Sequence, residues 1–131
     1  MRILILDDEL ARHYEFKKRL IGHLLTHVST AAEAITALKE IDFEWAFLDH
    51  DLGGRTMVAS GAGTGWEVAK WIADNPDRKP KNVVIHSFNG PGRKNMMAAL
   101  PDAVECPGAW TMIKSGEVWS GIKVEQIPTV G

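Results

Sequence analysis

Polar residues that can take part in chemistry follow three short apolar runs of this 131-residue sequence. The three polar groups are Asp7-Asp8, Asp49-His50-Asp51 and His86-Ser87-Phe88-Asn89. Apolar runs without polar alternation are typical of strands buried on both faces of a parallel sheet. Ligands of such sheets bind outside the carboxyl ends of the strands. The three groups are therefore candidates for one shared site.

Three carboxylates, those of Asp7, Asp8 and Asp49, would repel one another if nothing positive lay among them. A hard divalent cation such as Mg²⁺ meets this need, because it binds through one or two carboxylates together with waters and a phosphate. The alternative is that Asp8 only caps a helix and Asp7 only accepts backbone N–H groups, which explains one acid better than three. We predict a divalent-metal site, for Mg²⁺ first, with Mn²⁺ as an alternative.

Two histidines, His50 and His86, come from different strands and each stands beside another polar residue. Imidazoles titrate near neutral pH, so one could take a proton from water while the other protonates a leaving oxygen. As metal ligands they would instead favour Mn²⁺ or Zn²⁺ over Mg²⁺. A purely structural role is the third possibility. We predict an acid–base pair, with Asp49 as the third catalytic residue.

A phosphate-binding role is predicted for polar and basic residues next to these strand ends. A loop that runs into a helix offers free backbone N–H groups to an anion. The candidates are Asp51, Ser87, Asn89, Arg93 and Lys94, the last two in the first turn of the fourth helix. The alternative is a simple turn followed by a solvated basic helix start.

The composition is that of an ordinary soluble protein, with 45% hydrophobic and 24% charged residues and a net charge of −2. Such a charge gives no general attraction to nucleic acid or to an anionic membrane, and the opening residues are too short for a membrane span. Cys106 is the only cysteine, which excludes an internal disulfide and favours the cytoplasm. We expect residues 1–131 to form a single domain.

Strands and helices alternate along the sequence, which is typical of a parallel sheet with helices on both faces. The predicted strands are 2–6, 26–29, 45–48, 82–87 and 103–106. Capping-box spacing marks two helix starts, at Thr30 and at Thr64. Residues 89–92 are interpreted as a turn before a fourth helix at 94–100. Beyond Pro107 the pattern fits a hairpin or a poor helix, and it does not favour one of them.

The fold class that we predict is α/β, a flavodoxin-like doubly wound sheet with strand order 2-1-3-4-5. This order places the ends of the first, third and fourth strands side by side. An atypical C-terminal segment stands in place of a regular fifth helix.

Three motifs resemble the receiver domains of two-component response regulators. ILILDDE resembles the first strand and acidic pair of that family, which implies metal binding by Asp7 and Asp8. AFLDHDL resembles the phosphoacceptor strand, with Asp49 in the acceptor position, and VVIHS places Ser87 where the family has its switch Ser or Thr. The resemblance covers nearly the first hundred and ten residues.

The sequence also departs from an ordinary receiver. No lysine stands directly before Pro107, where the family has a lysine that contacts the phosphoryl group. The loop after Asp49 is also extended. His50 and His86 are additions that phosphoacceptance does not need. The combination of DD, LDHDLGG and HSFN is similar to a divergent branch, the cyclic-phosphate-processing receiver domains. That resemblance implies a metal-dependent hydrolase of a cyclic phosphate or nucleotide-derived phosphodiester.

Two functions are therefore carried forward. The first is the hydrolase, a metal-dependent phosphoesterase whose partner is a small nucleotide or cyclic-phosphate substrate. The second is a stand-alone receiver that a histidine kinase phosphorylates on Asp49. The missing lysine and the added histidines favour the first.

Overall fold

The computed structural model describes residues 1–113, which contain one sheet of five parallel strands. The strands are β1 (Arg2–Leu6), β2 (Leu24–Val28), β3 (Trp45–Leu48), β4 (Asn82–Ile85) and β5 (Val104–Glu105). Their order is β2-β1-β3-β4-β5, as the sequence predicts. β1 and β3 have the predicted bounds, and the ends of the other three strands shift by at most two residues, because apolar patterning marks a strand's centre better than its ends.

The register of the sheet aligns the three strands that precede the polar groups. Leu6 of β1 lies opposite Leu48 of β3, which in turn lies opposite Ile85 of β4. The next row along the chain is therefore Asp7, Asp49 and His86. The Asp49 N–H donates to the Leu6 carbonyl at 3.0 Å and the His86 N–H donates to the Leu48 carbonyl at 3.0 Å. This row forms the edge of the sheet at which we predict the site.

Helices cover both faces of the sheet, as expected for this fold class. They are α1 (Leu10–Arg19), α2 (Ala31–Glu40), α3 (Gly65–Asp74), α4 (Gly90–Ala99) and α5 (Ala109–Met112), with a 3₁₀ turn at Pro76–Arg78. Side chains from α2, α3 and α4 pack on one face of the sheet, and side chains from α1 and α5 pack on the other. Among residues 1–113, no helix is long and apolar enough to cross a membrane.

The two predicted capping boxes have different outcomes. At α2 the Thr30 hydroxyl accepts from the Glu33 N–H while Glu33 accepts from the Thr30 N–H, so the first box is confirmed. At α3 the helix begins after Thr64 but the second box is wrong. The Thr64 hydroxyl donates to the Gly61 carbonyl instead, because the preceding loop folds back beneath the helix start.

Residues 89–92 are not a separate turn, as the sequence interpretation had it, but the start of α4. The Asn89 side chain accepts from the Gly92 N–H at 3.0 Å, and Pro91 stands in the first turn, where its missing N–H does no harm. Near the end of the described residues, α5 has four residues, and most of the C-terminal segment that we expect to be atypical lies beyond residue 113, outside the described residues. The undecided segment from residue 114 onward lies outside the described residues.

Candidate functional site

Asp7, Asp49 and His86 present their side chains to one another where β1, β3 and β4 end. One ligand atom from each lies within 4.8 Å of the other two, and all three residues are buried. The His86 Nε2 is 2.8 Å from the Asp7 Oδ2, so the nitrogen carries the proton that it donates to the carboxylate. Two of the three predicted metal ligands are thus adjacent, and a histidine is added to them.

A cavity of about 190 Å³ lies beside this row, and Asp49 is the member of the row that lines it. Its walls come from the ends of β1, β3 and β4 and from the loop that follows β3. The lining residues include Asp8, Glu9, Arg12, Asp49, Asp51 and Ser87, with Gly54, Arg55, Thr56, Met57, Phe88 and Asn89 completing the wall. Neither His50 nor His86 is among the lining residues.

The charges of the two buried acids differ in the metal-free protein. Burial is the main reason that the pKa of Asp49 is raised to about 6, and the Asp7 carboxylate acts in the same direction. Burial also opposes ionisation of Asp7, but the hydrogen bond and charge of His86 outweigh it, so the pKa of Asp7 is lowered. Two buried carboxylates that destabilise each other's charge are the donor set that a divalent cation needs. The residues present therefore fit a metal.

The two oxygens of the Asp49 carboxylate have different partners: one accepts a short hydrogen bond, and the other has only a longer ion-pair contact. Its Oδ1 accepts from the His50 backbone N–H at 2.9 Å. Its Oδ2 faces Arg12, whose Nη1 lies 3.5 Å away. Because Oδ2 accepts no short hydrogen bond, it is the oxygen that a metal or a phosphoryl group would approach.

Asp8, the third predicted metal ligand, lies in the cavity wall but outside the group formed by Asp7, Asp49 and His86. Its Oδ2 accepts from the Gly54 N–H at 2.6 Å. Asp8 thereby ties the loop after β3 to the end of β1. Its other oxygen has no hydrogen-bond partner among the described residues. The Asp8 carboxylate could therefore bind a cation while it accepts from the Gly54 N–H.

His50 is fully buried, and its ring contacts Asp51 rather than the row of Asp7, Asp49 and His86. Its Nδ1 is 2.8 Å from the Asp51 Oδ1 and its Nε2 is 2.8 Å from the Ser60 Oγ. The ring rests on Gly92 of α4, where an added Cβ would come within 2.6 Å of the imidazole. Only a glycine allows this approach.

His86 is enclosed as completely as His50. Its ring lies edge-on to Phe16, with ring centroids 5.4 Å apart, and edge-on to Trp110, with centroids 5.5 Å apart. Its Nδ1 is buried and has no hydrogen-bond partner among the described residues. Both histidines are therefore packed inside the protein, although each follows the end of a strand.

Asn89 joins the parts of the site that lie around Asp51. Its Nδ2 donates to the Asp51 Oδ1 and to the Val58 carbonyl, each at 2.9 Å. Burial opposes ionisation of Asp51, but the hydrogen bonds from Asn89, His50 and the Met57 N–H outweigh it, so the pKa of Asp51 is lowered. Ser87 accepts from the Asn89 N–H at 3.1 Å and lines the cavity. Asp51, Ser87 and Asn89 are therefore placed where a phosphate could reach them.

The two basic candidates of α4 are placed differently. Arg93 donates to the Ser87 carbonyl at 2.8 Å and its Nε lies 3.7 Å from a Glu105 oxygen. Lys94 is exposed, and neither side chain lines the cavity. Arg93 supports the strand end from behind, and the predicted phosphate contacts of Arg93 and Lys94 would require their side chains to move.

Arg12 is the residue that the sequence reasoning missed. Its Nη1 lies 3.5 Å from the Asp49 Oδ2 and 3.6 Å from the Asp7 Oδ2. Its Cζ lies 4.5 Å from the ring centre of Trp110 and 6.0 Å from that of Phe88. Arg12 stands in the first turn of α1, and no periodic signal in the sequence pointed to it.

Comparison with known families identifies one model that matches this chain. The model is described as the cyclic-phosphate processing receiver domain, and it matches residues 2–102. Among curated proteins no significant match was found.

Solved structures of response regulators resemble the chain in fold. The response regulator TrrA from Thermotoga maritima, in complex with Mg²⁺ and BeF, is 20% identical with a TM-score of 0.63, over 99% of this chain and 98% of that one. A CheY-like receiver domain from Methanospirillum hungatei is 20% identical with a TM-score of 0.64, over 82% and 80% of the two chains. TrrA in complex with the histidine kinase ThkA is 20% identical with a TM-score of 0.60, over 79% and 84%.

Proposed function

We propose that this chain, which belongs to the family of cyclic-phosphate processing receiver domains, is a metal-dependent phosphoesterase that opens a cyclic phosphate or a nucleotide-derived phosphodiester. The observation that carries the proposal is the presence of two carboxylate–imidazole contacts beside one small cavity, one fully buried and one partly buried. Asp7 and His86 form one pair at 2.8 Å, and Asp51 and His50 form the other at 2.8 Å. A phosphoacceptor site needs neither imidazole.

Asp7 and Asp49 would hold the metal, with Asp8 as a third ligand from the cavity wall. Mg²⁺ suits an all-carboxylate set, and Mn²⁺ becomes the better match where His86 also binds. When bound, the cation neutralises phosphate charge and orients the attacking oxygen.

Hydrolysis forms one P–O bond from water and breaks one P–O bond to an ester oxygen. The water loses a proton and the leaving oxygen gains one. Asp51 lines the cavity as an ionised acceptor, and its contact with His50 connects an imidazole to the proton that water releases. The Asp51–His50 pair is therefore the base that we propose.

His86 is the second member of the proposed acid–base pair. Because it is enclosed between Phe16 and Trp110, it would reach a substrate oxygen only after leaving Asp7. The competing role for His86 is to hold the Asp7 carboxylate in the orientation that a metal requires, as partners of metal ligands commonly do. A pH–rate profile separates the two roles. If His86 transfers a proton, the profile of a His86 variant should lack one of its two limbs, and if His86 only orients Asp7, both limbs should remain.

The test of this function is a screen of the purified protein with Mg²⁺ or Mn²⁺. The substrates are cyclic mononucleotides, cyclic dinucleotides and RNA ends that carry a 2′,3′-cyclic phosphate, and ring opening is followed by chromatography. We expect opening of at least one class, and its loss in Asp49→Asn. Asp102→Asn is the matched control, because the Asp102 side chain is 89% exposed and far along the chain from the row of acids. No opening by the wild-type protein in any class would reject the proposal.

A second function is favoured by the position of Asp49 itself. Asp49 follows the central strand, one oxygen is open to the cavity, and Ser87 lines the same cavity from the next strand. This arrangement also suits a receiver that accepts a phosphoryl group on Asp49 from a histidine kinase. We place either activity in the cytoplasm, where the one cysteine of the chain stays reduced.

A further inference from the structure

Among residues 1–113, Arg12 is the one cavity-lining residue that brings a positive charge to the buried acids. Among the described residues that line the cavity, the cations are Arg12 and Arg55. Arg12 Nη1 is 3.5 Å from Asp49 and 3.6 Å from Asp7, which is an ion pair rather than a short hydrogen bond. Arg55 is exposed and has no ion pair among the described residues.

The guanidinium of Arg12 is held by aromatic rings as well as by charge. It lies over Trp110 at 4.5 Å and near Phe88 at 6.0 Å, and the side chain is only 27% exposed. Cation–π contact of this kind holds a guanidinium flat while leaving its N–H donors free at the edges. Arg12 is therefore positioned at the cavity by contacts that do not use up its donors.

The charges of the site make Arg12 and a divalent cation alternative partners for Asp7 and Asp49. In the metal-free protein Arg12 is the described arginine that forms an ion pair with both acids. Once Asp7 and Asp49 are neutralised by a divalent cation, the guanidinium loses their attraction and is repelled by the cation. A phosphoryl group in the cavity then becomes the anion within its reach, and an arginine binds such a group with two parallel hydrogen bonds.

We infer that Arg12 is an exchanging counterion that binds the phosphoryl oxygens of the ligand. It pairs with Asp7 and Asp49 in the metal-free protein and turns to the phosphoryl group when the metal is bound. From the first helix, Arg12 would thereby supply the positive charge that ordinary receivers take from a lysine. This sequence has no lysine directly before Pro107. The inference rests on the proposed function only in needing a phosphoryl ligand, and Asp49 phosphorylation would satisfy that need equally.

Two titrations test the inference without measuring turnover. The first measures binding of Mg²⁺ alone by calorimetry, and the second measures binding of inorganic phosphate at saturating Mg²⁺. In Arg12→Met we expect tighter Mg²⁺ binding by roughly 3–10-fold, because a competing cation is gone. We expect weaker phosphate binding by roughly tenfold or more, because two charge-assisted hydrogen bonds are lost. Arg12→Lys should recover part of the phosphate affinity.

The opposite signs of the two effects distinguish a counterion that exchanges from a residue that only supports the fold. Weakening of both ligands would mean a structural role and would overturn the inference. Tighter Mg²⁺ binding with unchanged phosphate affinity would leave Arg12 as a counterion alone, which also overturns it. Arg55→Met is the matched control, because Arg55 lines the same cavity without contacting the acids.

The outcomes for Arg12 and for the proposed hydrolase are separable. If the wild-type protein opens no cyclic phosphate but Arg12→Met shows the two opposite effects, the hydrolase fails and the role of Arg12 stands. If ring opening is observed and Arg55→Met, rather than Arg12→Met, loses phosphate affinity, the hydrolase stands and the assignment of Arg12 is wrong.

Discussion

His86 donates to the Asp7 carboxylate across 2.8 Å, and both side chains are completely buried. The contact joins the end of β4 to the end of β1, although Asp49 of β3 lies between them in the row. A buried carboxylate that loses its partner is left with an uncompensated charge. The pair therefore links the integrity of the fold to the electrostatics of the site.

Replacement of His86 by alanine should lower the free energy of unfolding by about 3 kcal/mol, because Asp7 loses the donor that keeps it ionised. Urea unfolding at pH 7 measures this loss. A double-mutant cycle with Asp7→Asn should show strong coupling, since the two changes remove the same contact. His23→Ala, which alters a partly exposed histidine at the N-terminal amine, should cost less than about 1 kcal/mol. Equal losses for His86→Ala and His23→Ala would contradict the importance of the pair.

Replacement of Asp49 by asparagine should stabilise the metal-free protein above pH 6. Because burial raises the pKa of Asp49 from 3.8 to about 6, the native protein holds this proton more tightly than the unfolded chain. The stability from this group is complete below pH 3.8 and is lost as the pH rises through about 6. The gain in Asp49→Asn should be about 2–3 kcal/mol at pH 8 and should vanish near pH 4.

Chemical unfolding in EDTA at pH 4, 6 and 8 measures that dependence. Asp102→Asn is the control, because an exposed carboxyl should give no such trend. Asp7 contributes with the opposite sign: its pKa is lowered, so its stabilisation is present above its ordinary value and is lost as the pH falls through the native value. A gain in Asp49→Asn that is independent of pH would show that burial of its charge is not the cause.

Mg²⁺ or Mn²⁺ should raise the melting temperature of the wild-type protein, because the folded state alone assembles the ligands. At a concentration one hundred times the dissociation constant the stabilisation is about 2.7 kcal/mol. Asp49→Asn should abolish the effect, and Asp8→Asn should reduce it less, since Asp8 stands outside the closest group of ligands. The absence of any shift at millimolar metal would reject the metal site.

Replacement of Gly92 by alanine should displace the His50 ring. The new Cβ would lie 2.6 Å from the imidazole, and such crowding costs about 1–3 kcal/mol. Gly90→Ala in the same helix is the matched control, because its nearest neighbour, an Arg93 nitrogen, would be 3.9 Å away. Thermal unfolding compares the two, and phosphodiester turnover should fall in Gly92→Ala alone. If both variants behave alike, the close contact of His50 with α4 is unimportant.

Replacement of the histidines separates the hydrolase from the receiver. As a hydrolase, the protein should lose roughly 10²–10⁴-fold in turnover with His50→Gln, which retains hydrogen-bonding groups at the buried position. As a receiver, it should still take phosphate from acetyl phosphate in His50→Gln and in His86→Gln, and only Asp49→Asn should abolish labelling. Stable labelling of Asp49 in a wild-type protein that opens no cyclic phosphate would favour the receiver.

The row of site residues could be predicted from sequence because it depends on backbone topology. Each of Asp7, Asp49 and His86 directly follows an apolar run. The parallel pairing of the three strands then places these residues side by side. The direction of each side chain could not be predicted in the same way. His50 follows Asp49 in the chain, so alternation turns it away from the row and toward α4. Its partner Ser60 lies in an irregular loop without a periodic signal.

The apolar pattern of α1 was a weaker guide. Phe16 and Leu20 are buried, but Leu10 and Tyr14 are 83% and 64% exposed, although all four are apolar or aromatic. The helix turns its polar Arg12 to the cavity because the acids and Trp110 compensate a charge there. Sequence periodicity cannot anticipate a cation whose partners come from three distant segments.

The alignment of Leu6, Leu48 and Ile85 has a consequence for assembly of the chain. Side chains alternate between the faces of a sheet, so a slip of one residue in any of the three strands would send one ligand to the opposite face. A partly ordered or misregistered chain thus lacks the complete site, even if its helices are formed. Divalent-metal affinity would then serve as a readout of correct strand pairing during refolding, and it should appear only in the last step.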